Sequence, residues 1–178
     1  MIEIPETELY LNSVEEFHTI RAQTLVLEHS LVSISKWEAK WCKPFISKDP
    51  KTQEELLDYI RCMTVSNNVD PLVYMALNNE HVRQINEYID APMTATWFSE
   101  KEKKGRSKEV ITSELIYYWM TAFQIPFECQ KWHINRLMTL IRICSIKNQP
   151  PKKMSKKDAM SRQRSLNAAR RKAMNTAG

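Results

Sequence analysis

Apolar residues in this chain recur mostly with the 3.6-residue period of a helix, in short blocks closed by capping residues and prolines. After Ser30, the positions Leu31, Ile34, Trp37, Ala39 and Trp41 share helical spacing. Pro44 limits that helix, because a residue before proline is pushed out of the α region. Asp49-Pro50-Lys51 reads as a turn. Thr52, with Glu55 three residues later, has the form of a capping box for a second helix with the stripe Leu56, Leu57, Ile60 and Met63; Ser66-Asn67-Asn68 ends it. Asp70-Pro71 puts a cap before a proline at the first helical position, and the helix it opens runs through Val73, Tyr74 and Leu77. A further helix over 79–89 turns Val82, Ile85, Tyr88 and Ile89 inward.

The remaining blocks lie at the two ends. Residues 112–148 predict a helical hairpin. Its first helix is capped by Thr112 or Ser113 and carries Leu115, Ile116, Trp119, Met120 and Phe123. After the turn Gln124-Ile125-Pro126 a second, continuous helix from about 127 to 148 carries Cys129, Trp132, His133, Leu137, Leu140, Ile141 and Cys144. Near the N-terminus, residues 8–11 and 24–27 have strand composition and are expected to pair as a small ribbon. Ser13 with Glu16 predicts a short capped helix between them. Residues 99–108 contain no apolar residue and read as an exposed, mobile loop. Gln149-Pro150-Pro151 stops the last helix. Beyond it the apolar groups are too few to offset the entropy of ordering, so residues 149–178 are expected to be a flexible tail, helical only when bound. The fold class that follows is mainly α: a compact helical domain over 1–148 with a short N-terminal β-ribbon and a C-terminal helical hairpin, then a flexible basic tail.

Composition agrees. Only Gly105 and Gly178 are glycines, so tight hairpins and phosphate-cradling loops that need positive φ are disfavoured. The net charge of +5 hides a division: residues 147–178 hold ten basic residues and one acid, and the preceding 146 hold sixteen basic and twenty acidic. The acidic start (residues 1–6) has no signal-peptide pattern, and no stretch has the length and apolarity of a membrane span, so a cytoplasmic chain without a membrane association is expected. Cys42, Cys62, Cys129 and Cys144 are far apart and never form a CxxC pair; reduced, buried thiols are the reading.

Candidate chemistry is sparse. Cys129 and His133, four apart on the expected helix, could hold two positions of a zinc site, but no matching pair completes four ligands, so a packed core pair is preferred and no metal is expected. The same two residues with Glu128 form a nominal nucleophile cluster, yet neighbours on a regular helix leave little substrate cleft. Glu15-Glu16 and Glu54-Glu55 read as first-turn acids complementing helix dipoles. No phosphate loop, dinucleotide fingerprint or nucleophile elbow occurs, so neither an enzyme nor a cofactor is expected. The residues set aside for partner contact are the aromatics Trp37, Trp41, Trp97, Tyr117, Tyr118 and Trp132, together with Lys152, Lys153, Lys156, Lys157, Arg162, Arg164, Arg170 and Arg171 of the tail. Aromatics at helical spacing are more often core or a peptide groove than a base-stacking platform, so nucleic acid is disfavoured as a partner.

Four runs, 25–45 (LVLEHSLVSISKWEAKWCKPF), 57–70 (LDYIRCMTVSNNVD), 90–98 (DAPMTATWF) and 109–151 (EVITSELIYYWMTAFQIPFECQKWHINRLMTLIRICSIKNQPP), with the basic ending MSKKDAMSRQRSLNAARR, resemble the tail assembly chaperones of long-tailed bacteriophages. The resemblance covers nearly the whole chain. It implies a non-enzymatic helper that coats the hydrophobic tape measure protein, recruits tail tube subunits, acts in the host cytoplasm and is absent from the finished virion. It also implies that such chaperones are often made in two lengths, the longer by a frameshift. Self-association is a separate, open expectation. A structural protein of the neck or tail, and a nucleic-acid-binding packaging adaptor acting through the tail, stand as alternatives.

Overall fold

The computed structural model describes residues 1–11, 15–47, 49–98, 109–149 and 156–174; the expected loop at 99–108 lies outside them. It is mainly α with short antiparallel strands, and it divides into two units, Met1–Ser145 and Ile146–Gly178.

The first unit opens on a broken ribbon. β1 (Ile2–Ile4) pairs with β4 (Gln23–Leu25), and β2 (Thr7–Leu11) pairs with β3 (Glu16–Ile20), both antiparallel. One register runs through both ladders: Ile4 faces Gln23 and Thr7 faces Ile20, leaving Pro5 and Glu6 opposite Arg21 and Ala22. Pro5 has no N–H to donate, which accounts for the interruption. The ribbon is therefore present, but its pairing corrects the expectation. Residues 8–11 meet β3 rather than 24–27, and Glu16 opens a strand instead of completing a helical capping box; Ser13 lies outside the described residues. Residues 7–11 and 16–20 are joined by only four residues, and closing so short a connection costs less entropy than reaching a remote partner.

The helices follow their caps. α1 (Leu31–Trp41) starts at Ser30, whose hydroxyl accepts from the Ser33 N–H, and ends at Cys42 in the left-handed region (φ 52°). α2 (Gln53–Met63) has the predicted capping box between Thr52 and Glu55. After Asp70, whose carboxylate accepts the Leu72 N–H at 2.9 Å, the chain makes a 3₁₀ segment, Pro71–Ala76. α3 (Asn79–Asp90) restarts on the Asn78 cap, and α4 (Ser113–Ala122) on Thr112.

The second arm of the C-terminal hairpin differs from the expected continuous helix. Residues Phe127–Lys131 are 3₁₀, the chain opens at Trp132 and His133, and α5 runs over Ile134–Asn148. The cause is a long-range backbone tie: the Ile134 N–H donates to the His29 carbonyl at 2.8 Å, and Ser30 and His133 form an isolated β-bridge. A continuous helix would consume those groups internally.

The core gathers Ile4, Ile20 and Leu25 from the ribbon, Leu31, Ile34 and Trp37 from α1, Tyr59 and Met63 from α2, Ile116 and Met120 from α4, and Leu137 from α5. Leu56, expected inside, is half exposed, and Val82 is also open to solvent. Buried Glu38 joins distant backbone: its two carboxylate oxygens accept the N–H groups of Phe45 and Ser113, each at 2.7 Å. In the second unit α6 (Lys156–Met174) is one helix, where the sequence reading gave it helical structure only when bound. Its Ala, Lys, Arg, Gln, Met and Leu residues are among the stronger helix formers.

Candidate partner-binding groove

Three short elements wall a groove on the first unit. The Asp70-Pro71 start forces a tight 3₁₀ turn after α2, and the Asn78 capping box then launches α3, so the three elements lie side by side around one concavity. Its volume is 490 Å³. That is within the range of small-ligand clefts, and enough for a few large apolar side chains. Buried Ile60 and Ile85 form the floor; Leu56, Met75 and Val82, exposed by 49%, 58% and 39%, stand at the mouth. The polar lining is Gln53, Asn79 and Asn86 with the rings of Tyr59 and Tyr74, and no lining residue carries a charge. Such a site offers apolar contact with few polar demands. It matches the hydrophobic stripe of an amphipathic helix better than a charged metabolite.

Charge is confined to the borders. Arg61 stacks over the Tyr74 ring at 5.2 Å, and on the outer side of α3 Arg83 bonds Glu80 and Glu87. Hydrogen bonds from Arg83 and Gln84 hold the Glu80 carboxyl down to about 2. These pairs stay ionised at neutral pH without intruding on the apolar lining.

Behind the groove lies a joint that the sequence did not reveal. His29 Nδ1 and the Tyr59 hydroxyl share a 2.5 Å hydrogen bond, the His29 N–H donates to the Tyr88 hydroxyl at 3.2 Å, and the His133 ring meets His29 edge-on at 4.9 Å. Burial, then the neighbouring His133, lowers the His29 pKa to about 4, so its imidazole is neutral at pH 7. Burial likewise pushes the Tyr59 hydroxyl far up. His133 Nε2 bonds the Tyr88 carbonyl at 3.0 Å. The Cys129–His133 pair is thus divided between a 3₁₀ turn and a backbone bridge, in place of the expected helix face. Among the described residues no cluster of three or more metal-capable side chains occurs.

The aromatics chosen from sequence are dispersed. Trp37 is core: it is 1% exposed, with its indole N–H donating to the Glu55 carbonyl at 2.8 Å, which removes it from any contact surface. Trp41 stacks on Trp37 and donates to Asp58 at 2.9 Å. Burial alone would raise Asp58, but hydrogen bonds from Lys40 and Trp41 outweigh it and keep the carboxyl below its usual range. Tyr117 is half-buried and donates to Gln130 at 3.0 Å; Trp132 is half-buried beneath Arg136. Tyr118 is 65% exposed and Trp97 is 93% exposed. Lys152 and Lys153 lie outside the described residues, Lys156 and Lys157 belong to α6, and Arg162, Arg164, Arg170 and Arg171 are exposed on that helix. Of the cysteines, none is disulfide-bonded; Cys129 is buried, but Cys42 is exposed, contrary to expectation, because it is the left-handed end of α1.

None of the groove's own residues was among those chosen. Helical spacing puts Leu56 and Val82 in buried stripes and Met75 in none. The one available signal is Met75, a large apolar side chain outside any helical stripe.

No helix among the described residues is long and apolar enough to cross a membrane. Comparison of the chain with protein-family models, with characterised proteins and with solved structures finds no match.

Proposed function

We propose that this chain is a non-enzymatic assembly chaperone of a phage tail, acting in the host cytoplasm and leaving before the virion is complete. In this reading the groove between α2, the 3₁₀ segment and α3 holds amphipathic helical segments of the tape measure protein, and the chain helps bring tail tube subunits to them. Its sequence resemblance supplies the class of partner. The observation that carries the reading is the groove itself: an uncharged concavity of 490 Å³ with Leu56, Met75 and Val82 open at its mouth. Large apolar side chains at a concave mouth are the usual anchors of helix-in-groove binding.

The test is co-expression with a cognate tape measure protein. The native chain is expected to co-purify with it and to raise its soluble fraction. Met75→Glu and Val82→Glu place a carboxylate at the mouth and are expected to weaken capture by about 2 kcal/mol or more, roughly thirtyfold, with thermal unfolding little changed because both side chains are exposed. Failure of the native chain to form any complex would overturn the proposal. Undiminished capture by both variants would remove the groove from it.

A further inference from the structure

The outer face of β2 and β3 is uncovered. Tyr10 and Phe17 are cross-strand partners with ring centroids 5.1 Å apart, and they are 50% and 71% exposed. Glu8 and Thr19 share that face by alternation. The ribbon that carries this face is also where the first unit concentrates its negative charge; Glu8 stands on the face with the two rings, while Glu16, opposite Leu11, stands on the other side. Residues 1–25 contain five acids, Glu3, Glu6, Glu8, Glu15 and Glu16, all exposed, against one base, Arg21; residues 26–146 contain fifteen acids and fifteen bases. The acidic excess therefore belongs wholly to the ribbon.

The opposite character is found on α6. Exposed Arg162, Arg164, Arg170 and Arg171 accompany Met160, Leu166 and Met174, exposed by 60%, 47% and 75%. An isolated helix that leaves such apolar groups in solvent is marginal in water, and a docking surface would hold it. At 19 residues α6 is about 28 Å long, enough to span the roughly 17 Å of β2 and β3. Arginine guanidinium groups are suited both to the carboxylates and to the faces of Tyr10 and Phe17.

From this complementarity we infer that the ribbon is a docking surface for α6 of a second copy of the chain. The contact is head-to-tail: each copy offers an acidic aromatic ribbon from its first unit and a basic helix from its second. An association of this kind extends or closes into a ring according to its rotation.

The experiment is sedimentation velocity of the nuclease-treated full chain over a concentration series, at about 0.05 M and about 0.5 M salt. Concentration-dependent association at low salt, reversed at high salt, is expected. E3K/E8K, at outward-facing positions of β1 and β2, and R162E/R164E, also at exposed positions, should each weaken it by about tenfold or more, and mixing the two variants should restore it by re-pairing opposite charges. A monomer at every concentration in low salt would overturn the inference, including one whose hydrodynamic radius grows on charge reversal, which points to the chain's own tail. Association that ignores the ribbon substitution, or that is lost on nuclease treatment, would overturn it as well. These outcomes are independent of tape measure binding, so the two proposals fail separately.

Discussion

His29 is held in the core without its second proton, and the fold depends on that. Its folded pKa of about 4 lies below the ordinary value of 6.5 because burial and the adjacent His133 oppose the charged form. The unfolded chain therefore binds the extra proton first as pH falls. Stability is expected to be lost progressively from about pH 6.5 downward, by about 3 kcal/mol in all once pH reaches 4. Urea unfolding between pH 7.5 and 5 isolates this loss, since the depressed carboxylates Asp58 and Glu80 titrate lower. His29→Gln should start less stable and show a flatter dependence over that interval; an equal slope in both proteins would remove His29 as the cause. No sequence pattern announced this residue. A lone histidine between an acid and a serine has no distinguishing period, and only the arrival of Tyr59, Tyr88 and His133 from elsewhere gives it a role.

At the level of single elements the caps proved the most legible feature. Ser30, Thr52, Asp70 and Thr112 stand where the sequence placed helix starts, because each satisfies backbone N–H groups that no helix can satisfy itself. Thr52 shows the strength of such a signal: its hydroxyl accepts the Glu55 N–H at 3.2 Å while Glu55 accepts the Thr52 N–H at 2.8 Å. Thr52→Ala is expected to lower stability by about 1 kcal/mol, read as a reduced urea midpoint at constant slope, and Thr52→Ser to recover most of it. Elements set by distant partners were not legible. Ser13 with Glu16 has the form of a capping box and predicts a helix start, whereas β3 is set by its pairing with β2, which that local pattern does not contain. The break at residues 132–133 cannot be seen in the sequence around it, since the backbone that claims Ile134 belongs to His29. The groove follows the same logic. Leu56 fits a buried stripe by spacing and is left half open by how far the 3₁₀ segment and α3 stand from α2.

Over the whole molecule, charge and apolar exposure divide the labour between surfaces. The groove is apolar and uncharged, and suits a hydrophobic helical client. The ribbon and α6 are charged with opposite sign around exposed apolar groups, Tyr10 and Phe17 on one and Met160, Leu166 and Met174 on the other, and suit a contact that salt can weaken. In the proposed role, a chaperone that must coat a long client and then leave it would benefit from that separation, because the proposed grip on the client and the inferred grip on a second copy would answer to different conditions. The basic tail was plain from composition alone. Its acidic counterpart was not, because the net charge of the body conceals that the excess sits within the first twenty-five residues.

The tie between Ile134 and His29 also constrains the order of events during synthesis. The ribbon and α1 to α3 are complete in sequence by Asp90, yet the flank of α1 that receives α4 and the 3₁₀ segment Phe127–Lys131 stays open until those residues have left the ribosome. Closing so large a loop is entropically among the costliest steps for this chain. In pulse-labelled hydrogen exchange during refolding, the Ile134 amide is expected to gain protection after the amides of α1 and α2; simultaneous protection would contradict this order. A nascent chain paused before residue 134 would hold Leu31, Ile34 and Trp37 only partly covered, and so for that interval it would itself need the shelter it is proposed to give.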